Sequence, residues 1–429
     1  MTTTVARGLS PVRTVLASGA VVIVQETPMT PAVTINATVR AGGVHEPPDR
    51  TGLAYLAGRV LDRGTAHRTA DQLAEELDER GVSLRIASSR HATILSCTCL
   101  SEDFDDVLAL VLDIVRAPVF PEAEVAKRKA ESLSAIRQDE DNPSVRAVET
   151  LFEILYGTSH PYGRKAKGTV ETVELITRAD LAAFHAERFT PAALSLAIVG
   201  LVDAGHALTR ASIELDGWSG MSQETAAPPA PSPVLAREQR VIDLPGKSQS
   251  EIAYGFTAIR RLDPRYDAYF VLNNIFGQFG LGGRLAENIR ERQGMAYYAF
   301  STLDPSVGVG PLIVRAGVDP GNVARALEAI DDEVREMGAA GPTAAELAET
   351  QQFLVGSIPR TLETNAGIAS FLQSEEQFGL GLDYDRRLAD DIRTVTLEEV
   401  RAAAAALLHP ERAAVAVAGP QELNPGSHG

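Results

Sequence analysis

The sequence predicts an α+β protein made of two halves with a similar order of elements. Short β-rich runs alternate with longer segments that carry apolar residues at helical spacing. A Pro-, Ala- and Ser-rich stretch at 217–237 has neither period and is typical of an extended linker. Beyond it the order of elements repeats at a period of about 210 to 220 residues. We therefore predict an N-terminal half at 1–216, the linker at 217–237 and a C-terminal half at 238–429.

In the N-terminal half, the pattern predicts two strands about a Ser-Gly turn within 11–26 and a third strand at 32–41. A Gly- and Pro-rich loop follows, in which Asp49 and Thr51 can each cap the next helix. The remaining predicted elements are a helix at 69–80, strands at 83–88 and 92–100, helices at 102–116 and 122–138, and a helix that ends at Tyr156.

In the C-terminal half, the same reasoning predicts strands and helices in a comparable order. They are strands at 240–244 and 250–259, a helix at 264–276, strands at 297–303 and 310–317, helices at 322–337, 344–357 and 396–408, and a strand at 413–418.

Composition narrows the range of partners. The chain has 429 residues, of which 45% are apolar and 23% charged, and its formal net charge is −17. Such an acidic chain is not expected to bind nucleic acid or an anionic membrane surface. No apolar run approaches the ~20 residues that span a bilayer, and the first residues lack a signal-like apolar core. We therefore expect a cytoplasmic protein in which Cys97 and Cys99 are buried free thiols.

The segment from Gly52 to Thr65 reads G-L-A-Y-L-A-G-R-V-L-D-R-G-T. It resembles the pitrilysin-like family (insulinase, mitochondrial processing peptidase), whose usual text is G-L-A-H-F-L-E-H-M-L-F-K-G-T. In that H-x-x-E-H, two His hold zinc and the Glu acts as base. This chain has Tyr55, Gly58 and Arg59 at those three positions. A phenol, a bare backbone and a guanidinium cannot replace these groups, and Arg59 places a positive charge where a cation should bind.

The family's third zinc ligand is a Glu that follows the second His by roughly 75 residues. Counting from Arg59 reaches L-S-A-I at 133–136, so Ala135 occupies the position without a carboxylate. Glu131, one turn earlier, is a weak alternative because coordination geometry is demanding. The resemblance therefore implies that this chain holds no metal.

A second segment of the family is intact. The stretch 276–301 reads F-G-Q-F-G-L-G-G-R-L-A-E-N-I-R-E-R-Q-G-M-A-Y-Y-A-F-S, where relatives carry a Gly-rich loop, S-R-L and L-R-E-K-x-G-L-A-Y. The resemblance makes Arg290 and Tyr297 the pair that reaches the substrate peptide; both can donate to a carbonyl or oxyanion. Flexible backbone at Gly280, Gly282 and Gly283 is expected to lie near the peptide. Gly294 suggests that a helix ends before Tyr297 opens a strand.

The resemblance covers roughly residues 10 to 420. It implies that each half is a mostly antiparallel sheet with helices packed on one side, and that the halves close like a clamshell around a peptide chamber. Some bacterial members are heterodimers: one subunit has H-x-x-E-H, and the other lacks it but keeps the Arg/Tyr pair. The pattern here implies the second kind, with peptide as substrate and zinc in a homologous H-x-x-E-H-bearing partner.

Two alternatives stay open at this point. The chain could be a structural or peptide-binding protein of the same fold, as the core proteins of respiratory complexes are, with no role in proteolysis. It could also be a zinc enzyme with rearranged ligands, which a metal analysis of the purified chain would reveal. The substrate peptide is not specified by any residue pattern.

Overall fold

A computed structural model describes residues 8–220, 227–278 and 283–420. The chain forms two compact units that do not follow its linear halves. The first unit comprises the chain up to Ile136, the stretch from Lys165 to residue 220, and Ser357–Arg387. The second comprises Arg137–Arg164, Ala227–Gly356 and the chain from Leu388 onward.

The first unit is built on a six-stranded sheet of order β1-β2-β6-β3-β5-β4. Strands β2 and β6 are parallel and the other neighbours are antiparallel. The strands are β1 (Val12–Val15), β2 (Val21–Glu26), β3 (Ala32–Val39), β4 (Arg85–Ser88), β5 (Thr93–Leu100) and β6 (Leu194–Gly200). The helices are α1 (Leu53–Val60), α2 (Ala70–Glu79), α3 (Phe104–Arg116), α6 (Val170–Leu175), α7 (Arg178–Arg188), α8 (Ala204–Glu214), α13 (Asn365–Phe378) and most of α4 (Glu122–Glu140).

The second unit is built on a five-stranded sheet of order β7-β11-β8-β10-β9, in which β7 and β11 are parallel. Its strands are β7 (Glu238–Asp243), β8 (Ser250–Ile259), β9 (Ala296–Leu303), β10 (Gly310–Val318) and β11 (Ala414–Gly419). Its helices are α5 (Pro143–Tyr156), α9 (Tyr266–Asn273), α10 (Gly283–Leu285), α11 (Val323–Ala340), α15 (Leu397–Leu407) and most of α12 (Ala344–Thr361) and α14 (Tyr384–Thr394). Two π-helical segments, π1 (Asn274–Gln278) and π2 (Ala286–Arg292), belong to the same unit.

Both faces of the first sheet are covered. Side chains of neighbouring strand residues point to opposite faces, and Val22 and Val24 join the large core while Ile23 joins a separate cluster. The large core also contains apolar residues of α1, α3 and α7, so helices pack on this face as predicted. The opposite face is covered by Ile368 and Leu372 of α13, a helix that the sequence pattern did not predict.

The predicted α+β class with mostly antiparallel sheets is confirmed, and most predicted elements begin and end within a few residues of the observed ones. Helix α5, which lies in the N-terminal half of the sequence, packs on β8 and β11 of the second sheet. No helix among the described residues is both long and apolar enough to cross a membrane. Cys97 and Cys99 are buried free thiols, as expected.

Candidate functional site

Helix α1 has a glycine as its N-cap because the backbone passes very close to another segment of the chain at this position. Gly52 has φ +96°, and a Cβ at this position would lie 2.5 Å from the carbonyl oxygen of Lys167. The prediction that Asp49 or Thr51 caps the helix is wrong. The carboxylate of Glu46 instead accepts from the backbone N–H of Gly52 at 3.0 Å and of Ala54 at 2.7 Å. A buried negative charge thus satisfies the free donors at the helix start.

On α1, Tyr55 and Arg59 lie one turn apart and face helix α4. Arg59 Nη2 donates to Glu131 Oε2 at 2.6 Å, and Arg59 Nη1 lies 3.4 Å from the Tyr55 hydroxyl. Arg128 donates to both carboxylate oxygens of Glu131, at 3.0 and 2.8 Å. The hydrogen bonds from Arg128, together with the positive charges of Arg128 and Arg59, hold the pKa of Glu131 below its usual value.

The carboxylate that reaches Arg59 from α4 is therefore that of Glu131, whereas counting along the sequence pointed to Ala135. Position along a chain does not say which turn of a helix faces a partner. An ion pair now occupies the contact between α1 and α4, where the resembled motif would place a metal and its ligands.

Gly58 occupies the position of the catalytic Glu in the resembled motif, and it is buried against strand β4. A Cβ built on Gly58 would lie 2.5 Å from Ser88 Oγ. Ser88 Oγ is itself held in place, because it donates to the carbonyl oxygen of Ala54 at 2.9 Å. A side chain at position 58 therefore requires Ser88 to move.

The residues present do not fit the zinc that the motif implies. Zinc takes imidazole nitrogen, thiolate or carboxylate oxygen; here the donors are a phenol and a carboxylate that two arginines already occupy. Across residues 8–220, 227–278 and 283–420, no three His, Cys, Asp or Glu side chains come together as a metal-binding group. Among the histidines, His160 and His185 hydrogen-bond to backbone carbonyl oxygens at 2.9 and 2.8 Å, which is a structural role.

In the second unit, Arg290 lies on π2 and Tyr297 on β9, and these two elements pack against each other. The helical segment ends at Gly294, which has φ +61° and donates from its N–H to the carbonyl oxygen of Arg290 at 3.1 Å. Strand β9 then begins at Ala296, so the predicted change from helix to strand is correct. π-Helical turns are rare and occur frequently at functional sites.

Both side chains of the pair are open to solvent. Tyr297 is 70% exposed. The side chain of Arg290 is 38% exposed, and its Nε lies 3.4 Å from Glu291 Oε1. No carboxylate grips the guanidinium at short range within the described residues, so its donors can reach a ligand.

The neighbouring residue Tyr298 points to the other side of β9, where a hydrogen bond holds its side chain in place. Its hydroxyl donates to Glu251 in a short hydrogen bond, and Gln249 donates to the same carboxylate at 3.1 Å. Burial, followed by the hydrogen bond to Glu251, raises the pKa of Tyr298 to about 12. Strand alternation thus gives one anchored phenol and, next to it, the free phenol of Tyr297.

Arg284 anchors the start of the segment that carries Arg290. Its side chain is 16% exposed and grips Glu346 at the start of α12, with Nη2 to Oε2 at 2.8 Å and a shorter contact from Nε. Burial acts to raise the pKa of Glu346, but hydrogen bonds from Arg284 and Thr343 outweigh it and lower that pKa to about 2. No role was predicted for Arg284; the R-L pair that follows the Gly-rich run is the sequence signal that marks it.

Of the three glycines predicted to lie near a peptide, Gly280 and Gly282 are outside the described residues. Gly283 has φ +56°, and a Cβ there would lie 2.4 Å from the carbonyl oxygen of Ile275. Its backbone therefore requires glycine. A role for these glycines in peptide binding stays a prediction.

Comparison with known families matches two models to this chain. The model described as insulinase (peptidase family M16) matches residues 21–166, and the model described as the peptidase M16 inactive domain matches residues 175–354. The first covers the helix with Tyr55, Gly58 and Arg59, and the second covers Arg290 and Tyr297.

Similar proteins extend the match over nearly the whole chain. An uncharacterized zinc protease of Mycobacterium leprae is 29% identical over 423 residues, which are 97% of this chain and 93% of the relative. Another, of Streptomyces coelicolor, is 27% identical over 95% of this chain and 89% of the relative. The crystal structure of a peptidase M16 inactive domain from Pseudomonas fluorescens has a TM-score of 0.89 at 26% identity, covering 96% of this chain and 99% of that one. The chain belongs to the pitrilysin- and insulinase-like peptidase family M16.

Proposed function

We propose that this chain is the zinc-free subunit of a heterodimeric metallopeptidase. In this proposal a homologous subunit with H-x-x-E-H supplies the zinc, and the present chain supplies Arg290 and Tyr297 to the peptide substrate. The cytoplasm is the compartment we propose for the pair.

The observation that carries the proposal is the contact between α1 and α4. Arg59 and Glu131 form an ion pair at 2.6 Å, and Gly58 is packed on Ser88. Restoring a ligand set requires new side chains at several positions and displacement of the Ser88 side chain, so an independent zinc site within this chain is not favoured. A peptidase role then requires a second polypeptide.

Solvent-facing donors on the second unit support the other part of the proposal. The side chain of Arg290 is 38% exposed, and Tyr297 is 70% exposed. Arg284 and Tyr298 each anchor an element that bears one of them. Preorganised donors of this kind position a peptide carbonyl and stabilise the negative charge that develops on its oxygen.

The test is peptide cleavage by a mixture of this chain with an H-x-x-E-H-bearing homologue from the same organism. Each protein alone is expected to be inactive and the mixture active. Arg290→Ala is expected to lower kcat of the mixture by ~10²–10³, the usual cost of one oxyanion donor. Tyr297→Phe, which removes only the hydroxyl, tests the second donor separately.

Arg292→Ala is the matched control, because Arg292 lies on the same segment and its side chain is 69% exposed and paired with Glu287. This variant is expected to keep full activity. Association of the subunits, measured by analytical ultracentrifugation, should be equal for all variants. Full activity of Arg290→Ala would overturn the assigned role, and cleavage by this chain alone, together with one tightly held zinc per chain, would overturn the proposal itself.

A further inference from the structure

A cleft of about 330 Å³ lies within the second unit, between helix α9, the end of α14 and helix α15. Its walls differ in character. The α9 side contributes Arg265, Asp267 and Tyr269, and helix α15 contributes alanines together with Glu399 in its first turn. The lining residues on which the argument depends are Arg265, Asp267, Tyr269, Asp391, Glu399 and Ala406.

The apolar wall is formed by alanines of α15. Ala402, Ala403 and Ala406 line the cleft, and Ala402 and Ala406 are exposed there. Their short side chains leave the space open, while Val395 adds apolar surface. Such a wall suits an aliphatic chain, since it offers van der Waals contact and no hydrogen-bond partner.

Two of the charged residues at the cleft are already engaged. Arg265 binds Asp263 through two contacts, Nε to Oδ1 at 3.0 Å and Nη2 to Oδ2 at 2.9 Å. Glu399 accepts from the backbone N–H and the hydroxyl of Thr396, both at 2.8 Å. Both sets of contacts are local and stabilise a turn or a helix start. Among the described residues, the carboxylate of Asp267 has no such local partner.

Asp267 has no hydrogen bond or ion pair within the part of the chain that the structure describes. It is half-buried, and burial raises the pKa of its carboxyl group; the negative charge of Asp391 acts in the same direction, and the positive charge of Arg261 opposes both. A carboxylate that is partly desolvated beside a second one is stabilised by a cation.

A buried phenol faces the same space. Tyr269 lines the cleft although the residue is only 4% exposed, and its hydroxyl has no hydrogen-bond partner among residues 8–220, 227–278 and 283–420. Asp267 thus supplies a carboxylate that is unpaired among the described residues, in a cleft that is also lined by Tyr269 and by the alanines of α15.

We propose that this cleft binds a basic side chain of a peptide, with the aliphatic arm along Ala402 and Ala406 and the cationic head at Asp267. Lysine and arginine have this division into an apolar stem and a charged end. The net charge of −17 favours the approach of such a ligand. The inference goes beyond the proposed peptidase role and does not depend on it.

The test uses the full chain and measures binding by isothermal titration calorimetry. The probe is a blocked pentapeptide with one central lysine among glycines, compared with the same peptide carrying norleucine. Loss of the charged contact is expected to weaken binding of the norleucine peptide by about tenfold or more. Raising the salt concentration is expected to weaken only the lysine peptide, because screening acts on the ion pair. Tighter binding of free 1,5-diaminopentane than of the peptide would overturn the assignment to a peptide.

Variants separate the cleft from general electrostatics. Asp267→Asn is expected to weaken the lysine peptide by about tenfold, whereas Asp390→Asn, which removes the same charge from the exposed face of α14, should change nothing. Ala406→Leu fills the cleft and should abolish binding, whereas Ala405→Leu on the exposed face of α15 should not. Thermal melts verify that each variant is folded. Equal binding by wild type and Asp267→Asn, or retention of binding in Ala406→Leu, would overturn the proposal.

Discussion

At the scale of single residues, the ion pair of Arg59 with Glu131 explains why the absence of a metal does not leave a carboxylate of α4 without a positive partner. In the zinc motif a dication neutralises the carboxylates around it. Here the guanidinium of Arg59 lies 2.6 Å from Glu131 and balances its charge, and Arg128 hydrogen-bonds to the same carboxylate. The loss of the ligands could be predicted from residue types alone, but the identity of the pairing carboxylate could not. Positions 131 and 135 lie on the same face of α4, and residue spacing leaves open which of these two turns is level with Arg59.

Glu375 leads to a prediction about pH. The residue is 2% exposed, and neither of its carboxylate oxygens has a hydrogen-bond partner among the described residues. Burial, with the nearby charges of Asp385 and Asp383 in support and Arg387 opposed, raises its pKa to about 7. The stabilising contribution of the protonated form is complete below the unfolded-state pKa near 4.5 and is lost as the pH rises through 7.

Glu375→Gln is therefore expected to raise the free energy of unfolding at pH 8 by roughly 2–4 kcal/mol and to have much less effect at pH 5. The measurement is thermal or urea unfolding of both proteins across pH 5 to 8. Glu376→Gln is a neighbouring control, since Glu376 is bound to Arg13 at 2.7 Å and its loss should destabilise rather than stabilise. A constant difference between Glu375→Gln and wild type over this range would contradict the assignment.

At the scale of elements, strongly periodic segments such as α3 and β5 could be predicted from the sequence because one buried face repeats along each of them. Helix α13 could not be predicted in this way. Its buried face includes Gln373 and Glu375, which a pattern of apolar and polar residues assigns to solvent. The burial of Gln373 depends on partners 178 and 337 positions away in sequence. The π-helical geometry of π1 and π2 was not predicted for a related reason, since tertiary packing decides whether a helical turn widens.

Gln373 fixes α13 on the first sheet through three hydrogen bonds. Its Oε1 accepts from Ser195 Oγ at 2.6 Å, and its Nε2 donates to the carbonyl oxygens of Asn36 at 2.8 Å and Ser195 at 3.0 Å. Gln373→Ala leaves these buried groups without partners. We expect a loss of roughly 2–3 kcal/mol in the free energy of unfolding.

The measurement for Gln373→Ala is urea unfolding at pH 7, with hydrogen exchange of α13 as a local readout. Gln377→Ala on the exposed side of the same helix is the matched control and should change the free energy of unfolding by less than about 0.5 kcal/mol. If both variants unfold at the same urea concentration, the polar contacts of Gln373 do not stabilise the docking of α13.

At the scale of the whole molecule, the sequence reveals a repeat of elements but not the exchange of segments between the two units. Helix α5 precedes the linker yet packs on β8 and β11, and helix α13 follows the linker yet covers β3 and β6. A composition shift marks where a chain is extended, and it carries no information about which sheet a helix covers. Each compact unit is therefore assembled from both sides of residues 217–237.

This exchange predicts that a cut within 217–237 does not yield two independent domains. The N-terminal fragment lacks α13 and exposes Ile23, Ala197 and Val199, which α13 buries through Ile368 and Leu372. Losing that contact costs on the order of 5 kcal/mol, a large part of the 5–15 kcal/mol by which domains are usually stable. We expect each fragment expressed alone to give the poorly dispersed NMR spectrum of a loosely packed chain, and the co-expressed fragments to restore the spectrum of the intact protein. A cooperative unfolding transition in the isolated N-terminal fragment would show that the first sheet does not need α13, and that the exchanged helix is an addition to a domain already stable without it.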